Sequence, residues 1–210
     1  MVLTTVQEKI KEMAKIAIHR GVFKVVVMGE TGVGKTSLIT RATKGFFPDP
    51  ELLKSTIGAS FALKRVSITD ENSNISAITL QIWDFAGQER FRTLLKGFIA
   101  GALGGLFVFD LTDPVTLDDI KNYWIPEVEE RLDIKFSENP EFARNFVLVG
   151  NKSDLIKDRQ VTYEEILEVA KPHNLKYILV SSKTGENVER LFEVLAHQLY
   201  KTYIVGVVEK

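Results

Sequence analysis

Eight consecutive residues near the start of the chain have the types and spacing that bind phosphate. They read GETGVGKT and comprise Gly29, Glu30, Thr31, Gly32, Val33, Gly34, Lys35 and Thr36, followed by Ser37. Glycines let the backbone curl so that its N–H groups surround a phosphate. The Lys35 ammonium would neutralise the β and γ oxygens of a nucleotide, and the Thr36 hydroxyl would bind Mg²⁺. The pattern predicts a nucleotide phosphate site (a P-loop) over a chance glycine-rich turn.

A second group of polar residues, DFAGQ at 84–88, suits the hydrolysis of a bound nucleotide. Asp84 would hold Mg²⁺ through water, and Gly87 offers a backbone N–H to a γ-phosphate. Gln88 would orient the attacking water, since phosphoryl transfer depends on positioning more than on covalent chemistry. Asp-x-x-Gly also occurs in ordinary turns, but downstream of a P-loop it favours the functional interpretation.

The tetrapeptide NKSD at 151–154 distinguishes one nucleotide base from another. The Asp154 carboxylate can accept both the ring N1–H and the exocyclic amine of guanine, whereas adenine offers no such pair of donors. Lys152 would pack its stem on the base, and SSK at 181–183 would close the other side with a backbone N–H. The predicted guanine-binding residues are Asn151, Lys152, Asp154, Ser181, Ser182 and Lys183.

These motifs follow apolar segments that must position them. Four short apolar runs, each followed by polar or helical sequence, predict buried parallel strands at 22–28, 106–111, 145–150 and 176–181. Two further runs, 61–68 and 75–83, are separated by the polar turn TDENSN and predict an antiparallel pair. The fold class expected is therefore α/β with a mixed, mostly parallel sheet.

Three helices have recognisable sequence signals. Thr116 with Asp119, and Thr162 with Glu165, predict capping boxes that open two helices. In the last helix the apolar residues follow helical spacing, which predicts one stripe against a core; they are Val188, Leu191, Phe192, Leu195 and Leu199.

Composition limits the classes of protein that fit. A chain of 210 residues that is 45% hydrophobic suits one domain, and a net charge of −1 argues against a nucleic-acid binder. The absence of Cys excludes disulfides, thiolate metal sites and prenyl or palmitoyl anchors. The sequence shows neither a signal-peptide core nor an apolar run of ~20 residues. The expected location is cytoplasmic, without a lipid anchor.

Residues 1–21 form a predicted amphipathic helical extension ahead of a main domain at 22–210. One helical face would carry Val6, Ile10, Met13, Ala14 and Ala17. Three roles stay open for this helix: peripheral contact with a membrane, packing on its own domain, and a surface for a partner.

The ordered motifs GETGVGKT, STIG, WDFAGQERF, GNKSD and SSKTGEN, spread over about 22–203, resemble those of the Ras superfamily of small GTPases. The stretches at 57–61, 80–83 and 90–93 resemble its Rab branch most. The resemblance implies a P-loop fold with a six-stranded sheet and five flanking helices. It also implies a molecular switch that binds GTP or GDP with Mg²⁺ and slowly hydrolyses GTP.

The same resemblance assigns further roles. Thr56 would bind Mg²⁺ and the γ-phosphate beside Thr36 and Asp84, and Phe47 would lie against guanine. The catalytic residues would be Lys35, Thr56 and Gln88. Two switch loops, at 46–60 and 85–97, would be ordered by the γ-phosphate and read by exchange factors, activating proteins and effectors.

Several residues depart from the Rab pattern. Phe85 replaces a small Thr and would change the packing of the second switch loop, Thr31 would slow hydrolysis, and Ser182 replaces Ala in the guanine loop. Two alternative functions stay open. One is a scaffold that remains loaded with GTP because catalysis is impaired. The other is a nucleotide or nucleoside kinase, which would share the P-loop without needing NKSD.

Overall fold

A single mixed sheet runs through the part of the chain that the computed structural model describes, residues 20–48, 59–69, 75–85 and 95–205. Its strands are β1 (Arg20–Met28), β2 (Ala59–Thr69), β3 (Ile75–Phe85), β4 (Gly104–Asp110), β5 (Phe146–Asn151) and β6 (Lys176–Leu179). The order across the sheet is β2-β3-β1-β4-β5-β6. The β2–β3 pair is antiparallel and the other pairs are parallel, which confirms the predicted mixed sheet. Because β1 begins at Arg20, the expected domain boundary between residues 21 and 22 falls inside this strand.

Helices cover both faces of the sheet. They are α1 (Lys35–Lys44), α2 (Leu95–Ile99), α3 (Pro114–Asp119, a π-helical turn Ile120–Trp124, then Ile125–Leu132), α4 (Pro140–Ala143), α5 (Tyr163–Ala170) and α6 (Val188–Tyr200), which continues as a π-helical turn, Lys201–Val205. Five of these match the expected flanking helices, and α4 is an additional single turn. The predicted N-terminal helix lies outside the described residues.

Alternate residues of the central strand enter two different cores. Val25 and Val27 of β1 pack with apolar side chains of α1 and α6, whereas Val26 and Met28 pack with Trp124 and other side chains on the opposite face. Strands β4 and β5 are buried along their whole length, as expected for parallel strands covered on both sides. The sheet is therefore a rigid platform for the loops at its carboxyl edge.

The two predicted capping boxes have different outcomes. Thr162 caps α5 as expected: its hydroxyl accepts from the Glu165 N–H at 3.2 Å, and the Glu165 carboxylate accepts from the Thr162 N–H at 2.7 Å. The prediction at Thr116 is wrong, because α3 begins at Pro114 with Asp113 as the N-cap. Asp113 accepts from the Val115 N–H at 3.1 Å, and proline at the first helical position needs no N–H partner. The Thr116 hydroxyl instead donates to the Asp113 carbonyl at 2.6 Å.

Proline explains the widened turn in α3. Pro126 has no N–H, so the regular bond to a carbonyl four residues earlier cannot form there. Just before it, the Ile125 N–H bonds to the Ile120 carbonyl, a five-residue step. This turn carries Trp124, which is fully buried against the sheet.

The carboxyl ends of several strands meet at one edge of the sheet. Asp84 on β3 lies opposite Val27 on β1, and Asp110 on β4 lies opposite Asn151 on β5. In open α/β sheets, ligands bind at this edge. The predicted motifs in the described residues follow these same strand ends.

Candidate functional site

The loop between β1 and α1 is held in a conformation that glycine permits. Gly29, Gly32 and Gly34 have φ of 138°, 86° and 94°, respectively. A Cβ on Gly29 would lie 2.0 Å from the Val108 carbonyl oxygen, and one on Gly34 would lie 2.3 Å from Nδ2 of Asn151. Gly34 is also the N-cap of α1 and has no side chain to cap it. A helix start without a side-chain cap suits an anion.

We expect Gly29→Ala and Gly32→Ala to differ sharply in their effect on folding. The Gly29 Cβ would meet the backbone of β4, which cannot move aside, whereas nothing lies within 4 Å of a Cβ on Gly32. Urea unfolding should show a loss of roughly 3 kcal/mol or more for Gly29→Ala and about 1 kcal/mol for Gly32→Ala, the latter from positive φ alone. Equal losses would contradict the described packing of the loop on β4.

Lys35 reaches back across the loop that precedes it. It is 6% exposed, and its Nζ donates to the carbonyls of Gly29 at 2.7 Å and Glu30 at 2.8 Å. Burial lowers the Lys35 pKa to about 8, although the carboxylates of Asp84 and Glu30 partly oppose this. An anion placed beside the ammonium would favour its charged form. The loop therefore holds a buried cation that phosphate oxygens would complement.

Asp84 and Thr36 meet at the end of β3. The Thr36 hydroxyl donates to Oδ2 of Asp84 at 2.5 Å. Burial raises the Asp84 pKa, while the Thr36 hydroxyl and the Lys35 ammonium act in the opposite direction. The second oxygen, Oδ1, is buried and has no donor within ordinary hydrogen-bond geometry among the described residues, although the Ser60 hydroxyl on β2 also acts to lower the Asp84 pKa. A hydroxyl beside an under-coordinated buried carboxylate suits a hard cation such as Mg²⁺.

Acidic and histidine residues do not form a separate metal site in the described ranges. No group of three or more His, Cys, Asp or Glu that could hold a metal occurs there. Mg²⁺ usually keeps several waters and binds through one or two carboxylates together with substrate phosphates. The Thr36–Asp84 pair fits that mode.

A cavity of about 340 Å³ lies beside the loop, and we call it the P-loop cavity. Its walls are Gly32, Gly34, Ser37, Phe47, Asn151, Lys152, Asp154, Leu155, Ser182 and Lys183. Small-molecule sites commonly have volumes of about 300–1,000 Å³. Part of the predicted phosphate set (Gly32, Gly34 and Ser37) and most of the predicted guanine set, with Phe47, thus line one cavity, whereas Lys35 and Thr36 are not among its lining residues.

Asn151 joins the two halves of this cavity. Its Nδ2 donates to the Val33 carbonyl at 2.8 Å, and its Oδ1 accepts from the Ser182 N–H at 3.1 Å and from the Ser182 hydroxyl at 2.9 Å. The side chain is 2% exposed, so these bonds are shielded from water. One amide fixes the P-loop relative to the loop that follows β6.

Asp154 lines the cavity, and the buried Ser181 hydroxyl orients its carboxylate. Its Oδ1 accepts from the Ser181 hydroxyl at 2.6 Å, and that hydroxyl oxygen accepts from the Thr184 N–H at 3.0 Å. Ser181 is fully buried, so it acts as an internal support and does not line the cavity. Asp154 retains acceptor capacity toward a base with two adjacent donors.

Lys152 lies against the cavity with its charge paired. Its backbone has φ of 66°, and Nζ lies 2.5 Å from Oδ2 of Asp110. The other oxygen of Asp110 accepts from the N–H and the hydroxyl of Thr112. The ion pair fixes the lysine stem in the cavity wall. Asp110 was absent from the sequence predictions, although a carboxylate at the end of β4 is the signal that could have identified it.

Two further contacts at the site carry no recognisable sequence signal. The indole N–H of Trp124 donates to Oε1 of Glu30 at 3.1 Å, and so ties α3 to the P-loop. Arg41 of α1 donates to backbone carbonyls of the loop after β6. In each contact the two partners are far apart in sequence, so local sequence patterns do not predict the contact.

Other predicted residues have mixed outcomes. Thr31 is exposed at the loop surface, and Ser37 lies in the cavity wall. Phe85 is 3% exposed and packs on Phe98 with ring centroids 4.9 Å apart. The remaining predicted residues, Thr56, Gly87 and Gln88, lie outside the described residues.

Membrane contact through the N-terminal extension also falls outside the described residues. Across 20–48, 59–69, 75–85 and 95–205, no helix is long and apolar enough to span a bilayer.

Comparison with known proteins points to one family. The model of the Ras family matches residues 24–201. Ras-related protein Rab-1 of Theileria annulata is 37% identical over 180 residues, which cover 84% of this chain and 74% of that protein. Ras-related protein Rab-13 of Canis lupus familiaris is 34% identical over 187 residues, covering 89% and 83%. GTP-binding protein ypt3 of Schizosaccharomyces pombe is 36% identical over 179 residues, covering 85% and 76%.

Proposed function

Because the chain belongs to the Ras family of small GTPases and lies close to its Rab branch, we propose that the P-loop cavity is its guanine-nucleotide site. The chain is a small GTP-binding switch protein that hydrolyses GTP. The observation that supports the proposed site most strongly is that one cavity is lined both by two P-loop glycines, Gly32 and Gly34, and by Asp154. A ligand with phosphates at one end and guanine at the other would meet both.

In this proposal each residue has a defined task. The P-loop N–H groups and Lys35 bind the β and γ phosphate oxygens, and Asp154 accepts from N1–H and the exocyclic amine of guanine. Thr36, Thr56 and Asp84 would hold Mg²⁺, which would supply positive charge beside those oxygens. Gln88 orients a water for in-line attack on the γ-phosphorus, which breaks the β–γ bond and yields GDP and phosphate.

The nucleotide that co-purifies with the protein tests this assignment. We expect GDP or GTP when the purified protein is denatured and its small molecules are separated by chromatography. ATP alone, or no nucleotide with no guanine-nucleotide binding on titration, would contradict the proposed site.

Gln88→Leu should separate binding from turnover. Leucine cannot orient water, so we expect GDP and GTP affinity to stay within a few-fold of wild type while single-turnover hydrolysis slows about tenfold or more. Wild-type turnover without a partner should be of order 10⁻⁴ to 10⁻² per second. Normal hydrolysis in the variant would remove Gln88 from the mechanism, and a wild-type protein that never forms GDP would favour the GTP-loaded scaffold.

Partners that read the bound nucleotide are part of the proposal. Exchange factors, activating proteins and effectors would contact the switch loops at 46–60 and 85–97. Exposed apolar side chains on β2 support a partner surface between them: Phe61 is 50% exposed and Leu63 is 53% exposed. Kinship with Rab proteins supports a role in membrane trafficking or a related intracellular regulation.

A further inference from the structure

One guanidinium, that of Arg41, contacts part of the P-loop cavity wall and also the segment that leads to another wall residue, Phe47. Arg41 lies in the last turn of α1. Its Nε donates to the Ser182 carbonyl at 3.0 Å, and its Nη2 donates to the Lys183 carbonyl. Its Nη1 donates to the Gly45 carbonyl at 2.9 Å. All three acceptors are backbone oxygens, so these contacts fix the course of the chain.

The first two acceptors belong to one wall of the cavity. Ser182 and Lys183 line it, and the Ser182 N–H is already held by Asn151. Asn151 thus fixes this loop from the cavity side and Arg41 fixes it from the outside. The loop connects β6 to α6 and is secured at both points.

The third acceptor belongs to the segment that leads to another residue of the cavity wall, Phe47. Gly45 ends α1 with φ of 79°, and its N–H bonds to the Arg41 carbonyl at 3.0 Å. Two residues later Phe47 lines the cavity. The Arg41 backbone and side chain together therefore set where the chain leaves α1 and where Phe47 is placed.

The chemistry of the contacts requires arginine. A guanidinium offers five donors in a planar fork, whereas a lysine ammonium is a compact point charge. Three carbonyls in different directions match the fork. The Arg41 Nε bond to Ser182 is partly buried and so partly protected from competition with water, whereas the two Nη bonds are exposed.

We propose that Arg41 is a positioning residue for the base end of the site: it holds the Ser182–Lys183 wall and the Phe47 wall together and so slows nucleotide release. The inference rests on the proposed guanine site. The first switch loop begins beside Gly45. A partner that binds this loop and displaces Gly45 would therefore break a hydrogen bond of Arg41 and weaken the binding of the base. Arg41 lies away from the phosphate end, so it should affect release without affecting hydrolysis.

The test measures release of a fluorescent GDP analogue from wild type, Arg41→Ala and Arg41→Lys, in the presence of Mg²⁺. We expect release to be about tenfold faster or more in both variants, because neither side chain can form the three hydrogen bonds that the charged guanidinium donates. Hydrolysis of pre-bound GTP in a single turnover should stay within about twofold of wild type. Arg144→Ala is the matched control, because that guanidinium bonds to the exposed Glu141 carboxylate, and its release rate should match wild type.

Each other outcome has a definite meaning. An unchanged release rate in Arg41→Ala would overturn the positioning role. A wild-type release rate in Arg41→Lys would also overturn it, because a positive charge alone would then be enough to retain the nucleotide. Release and hydrolysis that change in proportion would indicate general damage to the fold and would also overturn it. If Arg41→Ala does not fold, the comparison of Arg41→Lys with wild type decides. A wild-type protein that fails to retain the GDP analogue would instead contradict the proposed guanine site.

Discussion

Lys35→Ala should abolish tight nucleotide binding, with the dissociation constant for GDP rising about a thousandfold or more. Lys35 supplies a buried positive charge at the base of the P-loop. Two unit charges about 4 Å apart interact by roughly 4 kcal/mol at an effective dielectric constant of 20, which corresponds to nearly three orders of magnitude in affinity. Calorimetric titration of nucleotide-free protein with GDP and Mg²⁺ would measure the change.

Lys24→Ala is the matched control for this experiment. Lys24 also donates from Nζ to a backbone acceptor, the Ala100 carbonyl at 2.7 Å, but its ammonium lies over the Trp83 ring and not on the P-loop carbonyls that Lys35 contacts. Its removal should leave GDP affinity nearly unchanged. If Lys35→Ala bound GDP within tenfold of wild type, the described loop would not be the phosphate site.

Asp154→Asn should reverse the base preference of the protein. An asparagine amide that accepts from N1–H turns its NH₂ toward the exocyclic amine of guanine, so two donors face each other. We expect GDP affinity to fall about a hundredfold or more. Xanthosine diphosphate carries a carbonyl oxygen where guanine has the amine, so its affinity should rise. Competition between the two diphosphates for each variant measures the ratio directly.

Asp158→Asn tests whether the effect belongs to the cavity. Asp158 lies in the exposed turn Ile156–Asp158, close to Asp154 in sequence and outside the P-loop cavity. Its substitution should leave the preference for GDP intact. An Asp154→Asn protein that still prefers GDP by the wild-type ratio would remove this carboxylate from base recognition.

Local patterns were sufficient to predict most of the fold. The apolar runs predicted the six strands that the structure describes, and for β4 and β5 this is because buried parallel strands need apolar residues on both faces. The expectation that β6 is buried was wrong, because its residues are only partly buried or exposed. The capping box at Thr162 was confirmed, since both partners lie within one turn. The box at Thr116 was wrong because Asp113 and Pro114, just upstream, provide a stronger helix start. Short-range signals thus fail where a better one lies a few residues away.

Candidate site residues can be proposed from sequence where one residue type suits the task alone, and less readily where the position depends on contacts across the fold. Gly29, Lys35 and Asp154 follow from chemistry and spacing. Arg41 meets Ser182 across 141 positions, and Trp124 meets Glu30 across 94. Arginine and tryptophan residues in helices often have structural roles unrelated to a binding site. Their contacts at this site can therefore be identified only from the three-dimensional structure.

In the proposed guanine-nucleotide site, the side chain of Asn151 would make recognition of the base and of the phosphates mutually dependent. Because a single amide bonds to Val33 on one side and Ser182 on the other, neither wall can shift without straining its partner. A nucleoside and a pyrophosphate offered separately would therefore not bind with independent energies. Binding of either fragment would order part of the cavity wall that the other fragment contacts. The effects on affinity of substitutions at the two ends of the site should therefore be non-additive. Because of this one residue, the binding free energy of an intact nucleotide should differ from the sum of the binding free energies of its two parts.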